Sequence, residues 1–144
     1  MKRNNLLKLL VLFLGLFLPS LAEAKHIIGG DVTYICLGEV SPGIKRWQFT
    51  MHIYRDCLGG GPFFDQPAAI AIHQGTETSN VLYSSFDIFL DQSMVLEPDT
   101  PQCVTQIPYV CVEEGIYTFE EDLPVLTNES YFIVYQRCCR NETI

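Results

Sequence analysis

"RWQFTMHIYRDC", residues 46–57, decides the fold. Trp47, Phe49, Met51 and Ile53 alternate with Gln48, Thr50 and His52. A period of two places the apolar set on one face and the polar set on the other, which predicts a half-buried β-strand. No stretch downstream of residue 25 shows the 3.6-residue period of an amphipathic helix.

The same alternation recurs outward from this strand. "DVTYICLG" (31–38) sets Val32, Tyr34 and Cys36 against Thr33 and Ile35, and "SPG" (41–43) supplies a turn between the two strands. "AAIAIHQ" (68–74) reads as a fully buried strand, and "NVLYSSFDIFLD" (80–91) as one or two strands with a break at Ser84-Ser85. "SMVLEPDTPQCVTQIPYVC" (93–111) holds Pro98, Pro101 and Pro108, so it is not a central strand. "GIYTFEEDL" (115–123) and "SYFIVYQRCC" (130–139) complete the pattern, the latter with Tyr131, Ile133 and Tyr135 on one side. Six or seven short strands punctuated by turns predict an all-β, two-sheet antiparallel β-sandwich, immunoglobulin-like in arrangement. A jelly roll or an open barrel is the alternative.

The first 24 residues stand apart. "MKRNNLLK" is basic, "LLVLFLGLFLPSL" is a short apolar core, and Ala22-Glu23-Ala24 has the small-x-small form of a signal-peptidase site. Residues 1–24 are therefore an export signal, with no membrane insertion after its removal. Residues 25–144 form one β-sandwich domain. Its last strand runs straight into "RCCRNETI", as if the sandwich were incomplete at its C-terminal end.

Of nine basic and 17 acidic residues, Lys2, Arg3, Lys8 and Glu23 leave with the signal, so 6 and 16 remain. That acidic surface, with no Lys/Arg cluster, argues against nucleic acid as a partner. All six cysteines survive: Cys36, Cys57, Cys103, Cys111, Cys138 and Cys139. An even count in an exported chain predicts three disulfides. The neighbours Cys138 and Cys139 are poorly placed to bond each other. A local pair Cys103–Cys111 would close the proline-rich loop and leave Cys36 and Cys57 for the vicinal pair. No C-x2-4-C spacing suggests zinc.

"HIIGG" (26–30), just after a basic residue, has the look of an activated trypsin-like N-terminus. The rest of that chemistry is missing: no Gly-Asp-Ser-Gly-Gly segment is present, and His52 and His73 occupy ordinary strand positions. The segment reads as the entry to a first strand. There is no Gly-x-Ser-x-Gly elbow and no His-Glu-x-x-His pair. The adjacent acids Glu113-Glu114 and Glu120-Glu121-Asp122 point to opposite strand faces and cannot serve one bond as a dyad. No catalytic residue, cofactor or metal ligand set is assigned. Asp56, Asp65, Asp87 and Asp91 offer oxygens for calcium but lack a D-x-D-x-D-G loop. His26 near the mature N-terminus could chelate copper, and reads more simply as a solvated residue.

"LGGGPFFDQP" (58–67) is a loop in which Phe63 and Phe64 either stack against a glycan or peptide or anchor the loop to the core. Arg137 and Arg140, flanking the vicinal cysteines, are expected to pair with carboxylates.

"HIIGGDVTYICLG", "IYRDCLGGGPFFDQPAAIAI", "CVEEGIYTFEEDLP" and "YFIVYQRCCRN", in this order, resemble the N-terminal region of large secreted cell-surface proteins of gliding-type Bacteroidetes. The resemblance rests on His26, Gly29, Gly30, Tyr34, Cys36 and Gly38, on Tyr54 to Cys57, on Cys111 to Glu114 and on Tyr135 to Asn141. In that family the region precedes further β-domains, often polycystic-kidney-disease-type repeats. A gliding motility-associated C-terminal domain then directs type IX secretion. The resemblance implies a non-enzymatic extracellular module for structure or adhesion, with surface proteins or glycans as partners. It implies cell-surface localisation where the longer protein carries an anchor.

Overall fold

A computed structural model describes residues 27–97 and 109–137. The 24-residue signal, His26, Cys103, Cys138, Cys139 and Arg140 lie outside the described residues. Seven strands follow one another: β1 (Ile27–Ser41), β2 (Ile44–Asp56), β3 (Ala68–Thr76), β4 (Ser79–Ile88), β5 (Gln92–Leu96), β6 (Val112–Pro124) and β7 (Ser130–Tyr135). They form two antiparallel sheets, one of four strands in the order β1-β2-β6-β5 and one of three in the order β4-β3-β7. The expected β-sandwich is present.

The period of two in 46–57 does what it predicts. Phe49, Met51 and Ile53 of β2 are buried, and Tyr117, Phe119 and Leu123 of β6 join them from the neighbouring strand. Phe49 pairs with Phe119 in the register, and their rings stack at 5.0 Å. From the other sheet, Ala68, Ile70 and Ile72 of β3 and Ile88 of β4 close the core. Burying such side chains, at about 1.5–3 kcal/mol each, is the main force holding the two layers together.

Several local expectations change. The first strand starts at Ile27 and runs to Ser41, well beyond 31–38 at both ends. β3 is not buried throughout: Ala69 is exposed while Ala68, Ile70 and Ile72 are buried, because its antiparallel sheet is covered on one side only. β4 is one continuous strand. Where a break was expected, the register shifts so that Ile72 faces Ser84 and His73 faces Leu82, leaving Tyr83 as a bulge. The segment ahead of the prolines contributes only β5, the five-residue edge of its sheet.

Ser41-Pro42-Gly43-Ile44 makes the β1–β2 turn. Gly43 has φ +78°, a conformation that a side chain would strain, and its N–H donates to Glu39 Oε1 at 2.8 Å.

The two sheets differ by one strand, and both edges of the larger sheet are largely exposed: β1 beyond its first residues and β5 nearly throughout. In the register, Gly30, Val32, Tyr34 and Cys36 lie beside Ile53, Met51, Phe49 and Trp47, so they belong to the core-facing side. Yet Val32 is 38% and Tyr34 65% exposed. Ile27, at the start of β1, is buried in the core, while further along, the β7 residues Tyr135 and Tyr131 border the same hollows as Gly30 and Tyr34.

Candidate functional site: the clasped aromatic loop

The chain between β2 and β3 is the region where most polar contacts converge. β2 ends in Asp56-Cys57, and Cys57 is bonded to Cys111, just ahead of β6. This corrects the expected Cys103–Cys111 pair. The register brings Asp56 opposite Val112, so the residues one step beyond each strand are already neighbours, and Cys57 N–H donates to Cys111 O at 3.1 Å. Strand pairing outweighs loop length in choosing the bond. Asp56 turns the chain there by accepting from Leu58 N–H at 2.8 Å.

Arg55 holds the loop from below. It falls on the core face by the same alternation as Phe49 and Ile53, and is 6% exposed. A buried guanidinium needs a counter-charge. Glu113, its register partner on β6, accepts from Nε at 2.7 Å. Nη1 donates to Gly61 O at 3.3 Å and Pro62 O at 3.4 Å. The guanidinium lies 4.4 Å from the ring centroid of Phe63 and 5.5 Å from that of Phe64, within cation–π range.

The two phenylalanines divide the roles proposed for them. Phe64 is 7% exposed and belongs to the core cluster. Its ring lies over Gly115, where a Cβ would come within 2.8 Å of the ring. Phe63 is 74% exposed. The loop carries one anchor and one presented aromatic.

From the other sheet, β7 and the residues after it grip the far end of the loop. Tyr135 Oη donates to Asp65 Oδ2 at 2.6 Å, and Tyr117 Oη donates to Asp65 O at 2.8 Å. Arg137 Nη2 donates to Phe63 O at 2.7 Å, and its Nε lies 3.3 Å from Asp65 Oδ1. The expected pairing of Arg137 with a carboxylate is thus met by Asp65. Burial pushes the Tyr117 hydroxyl up to about 12, with the Asp65 charge adding to it. Tyr135 is raised further, by burial first and then by its hydrogen bond to Asp65.

The acids do lie on opposite faces: Glu113 turns inward to Arg55, while Glu114 Oε1 lies 2.7 Å from His52 Nδ1 on the outer face. His73 sits in β3, on the other sheet from His52. Among the described residues no group of three or more His, Cys, Asp or Glu is arranged to hold a metal ion. Asp56 and Asp65, two of the calcium candidates, are occupied by Leu58 N–H and by Tyr135 with Arg137.

Cys36 is exposed and has no disulfide partner among the described residues. It stands opposite Trp47, whereas Cys57 lies just past the other end of β2. Ten residues at ~3.3 Å each separate the two by roughly 33 Å, far beyond a disulfide's reach. Arg137 also lies at the Cys57 end, where it lines a groove with Ile27 and Gly30.

Sequence reasoning found the aromatic pair and the cysteines; Arg55 entered only as a position of the resembling motifs, Tyr135 as such a position and as part of an alternating strand, and Tyr117 only as part of an alternating strand. Arg55 was visible as a charge in phase with Phe49, Met51 and Ile53. Tyr117 gave no signal beyond ordinary alternation.

The chain matches no protein-family model, no curated protein and no solved structure.

Proposed function

We propose that the chain is a non-enzymatic extracellular module of an exported bacterial surface protein, serving structure or adhesion. The observation that carries this reading is the Cys57–Cys111 bond. Such a bond persists in oxidising, extracytoplasmic surroundings, and here it clasps a loop to a sandwich rather than poising a thiol for chemistry. The immunoglobulin-like arrangement belongs to the same proposal. The sheet β1-β2-β6-β5 resembles the four-stranded sheet of that fold, and β4-β3-β7 resembles its partner with a different edge.

The test is to raise antibody against the folded chain, locate it on intact cells of the source organism, and compare surface attachment of cells with and without the gene. Labelling outside the cell with reduced attachment or altered envelope integrity supports the proposal. A protein found only in the cytoplasm ends it.

One specific observation favours a second reading, a glycan- or peptide-binding module. Phe63 is presented outward on a loop held by Arg55, Arg137 and the disulfide, so a stacking surface is preorganised. Phe63→Ala separates the readings. Lost retention on a glycan or peptide array with unchanged melting supports binding, and unchanged retention removes it.

A further inference from the structure

We propose that a hollow at the turn end of the sandwich binds a neutral saccharide. Residues of β1, β2, β6 and β7 border it, and its volume is about 420 Å³, inside the ~300–1,000 Å³ range of small-molecule sites. It lies at the opposite end of β2 from the loop of Phe63, so neither reading above depends on it.

The walls are aromatic. Tyr34, Trp47 and Tyr131 line the hollow. Tyr34 and Trp47 meet edge to face, with centroids 5.7 Å apart and planes 69° apart. One ring of such a pair keeps both of its faces clear of the other. Tyr34 is exposed although it stands on the inward side of β1, beside buried Phe49. An open aromatic face suits a pyranose ring, whose C–H groups form an apolar face while its hydroxyls stand around the edge.

The rim supplies one donor and one acceptor. Lys45 shares the inward phase of Trp47 and Phe49 and pairs in the register with buried Leu123. Glu129 borders the same hollow from just ahead of β7. Among the described residues Arg46, Arg55 and Arg137 each have a carboxylate partner, whereas no ion pair reaches Lys45 or joins it to Glu129. In a chain of 17 acidic and nine basic residues, a cation left unpaired beside aromatic rings calls for an explanation. The two charges balance within the hollow, so an anionic ligand held by Lys45 would be repelled by Glu129 and by the acidic surface around it. A hydroxyl both donates and accepts. Neighbouring sugar hydroxyls therefore satisfy an ammonium that only donates and a carboxylate that only accepts, with no net charge brought in.

The site is held in shape before any ligand arrives. Val125 N–H donates to Gly43 O at 2.9 Å and Tyr131 Oη donates to Pro124 O at 3.0 Å, tying the β6–β7 turn to the β1–β2 turn and to β7. Gln74 Nε2 donates to Glu129 Oε2 at 2.7 Å, which positions the carboxylate and leaves its second oxygen for a ligand. Ordering that precedes binding is not charged against affinity.

Trp47 is the chain's single tryptophan, so its fluorescence reports this hollow. The oxidised chain is titrated to about 10 mM with cellotriose, maltotriose, xylotriose and chitotriose, and with tri-galacturonate and trialanine as charged probes. The expected result is a saturable change with at least one neutral trisaccharide, whose affinity holds when ionic strength is raised about tenfold. Lys45→Met should weaken that affinity at least ~10-fold, the effect of one hydrogen bond to a charged group. Tyr34→Ala should weaken it ~3- to 10-fold through lost stacking. Glu129→Ala, at an exposed position, should also weaken it, and tests the rim without disturbing packing. Val95→Ser, exposed on the far edge strand β5, should leave both affinity and melting unchanged. No response to any neutral trisaccharide overturns the proposal. So does a response confined to tri-galacturonate or trialanine, or one that Lys45→Met, Tyr34→Ala and Glu129→Ala all leave intact.

Discussion

Gly115 lies beneath the ring of Phe64, so close that a methyl group there would meet the ring at 2.8 Å. That contact welds the loop to β6 and sets the height at which Phe63 is held. Gly115→Ala is expected to push the ring out and cost ~1–3 kcal/mol, the usual size of an overpacking defect. Urea denaturation would show it as a lower midpoint with an unchanged slope.

Phe64→Ala and Phe63→Ala should behave differently although the residues are neighbours. Truncating buried Phe64 leaves a cavity between the sheets and is expected to cost ~3–5 kcal/mol. Truncating Phe63, whose ring is mostly in water, removes little beyond its contact with Arg55, about 0.5–1 kcal/mol. Thermal melting of the two variants side by side measures the difference.

The Cys57–Cys111 bond closes a sequence separation of 54 residues. Replacing both by serine, which also avoids leaving a lone thiol, is expected to destabilise by ~2–4 kcal/mol. The same loss should appear on adding reductant to the wild type and be absent when reductant is added to the double variant.

Alkaline pH should unfold the protein through two tyrosines. Unfolded tyrosine ionises near pH ~10, whereas burial holds Tyr117 at about 12 and raises Tyr135. The folded state thus keeps these protons more tightly than the unfolded one. Their contribution is intact below pH ~10 and is lost as pH climbs through the folded values. Denaturation midpoints between pH 8 and 12 should fall above 10, with a shallower fall in Tyr135→Phe. Tyrosinate absorbance should grow in step with unfolding rather than ahead of it.

Cys36, exposed on β1 and remote from the other end of the sandwich, should react with a thiol reagent while the protein is folded and oxidised. Cys36→Ser should remove that reactivity. A wild type with no reactive Cys36 would mean that another cysteine reaches it.

The fold was legible because its strands alternate. Phe49, Met51 and Ile53 announced a buried face, and Tyr117 with Phe119 marked one side of a further strand. What alternation cannot convey is which strand lies over which. Val32, Tyr34 and Cys36 carry the pattern of a covered strand and are exposed, since alternation gives a strand's faces and not how closely the opposite sheet approaches them. The disulfide was misjudged for a related reason: loop length favoured Cys103–Cys111, but the β2–β6 register puts Cys57 beside Cys111. Of the loop, the presented Phe63 and the anchoring Phe64 were both weighed, without a means to say which was which. The partners that fix it, Arg55 and Asp65, are 10 residues apart in sequence but owe their roles to Glu113, Tyr135 and Arg137 on distant strands.

Ile27 and Arg137 border the same groove, so the described chain enters and leaves the sandwich at one end. Tension applied through those two ends would peel β1 from β2 one hydrogen bond at a time, the weakest way to load a sheet. The peel halts at Cys57. Everything from there to Cys111 is shorted out by the covalent bond, and of the described residues the 30 from Ile27 to Asp56 and the 26 from Val112 to Arg137 can pay out. At ~3.4 Å per residue that is roughly 190 Å of slack. The bond thus caps the extension of the described chain under load: soft at first pull, then taut where Cys57 and Cys111 take the strain.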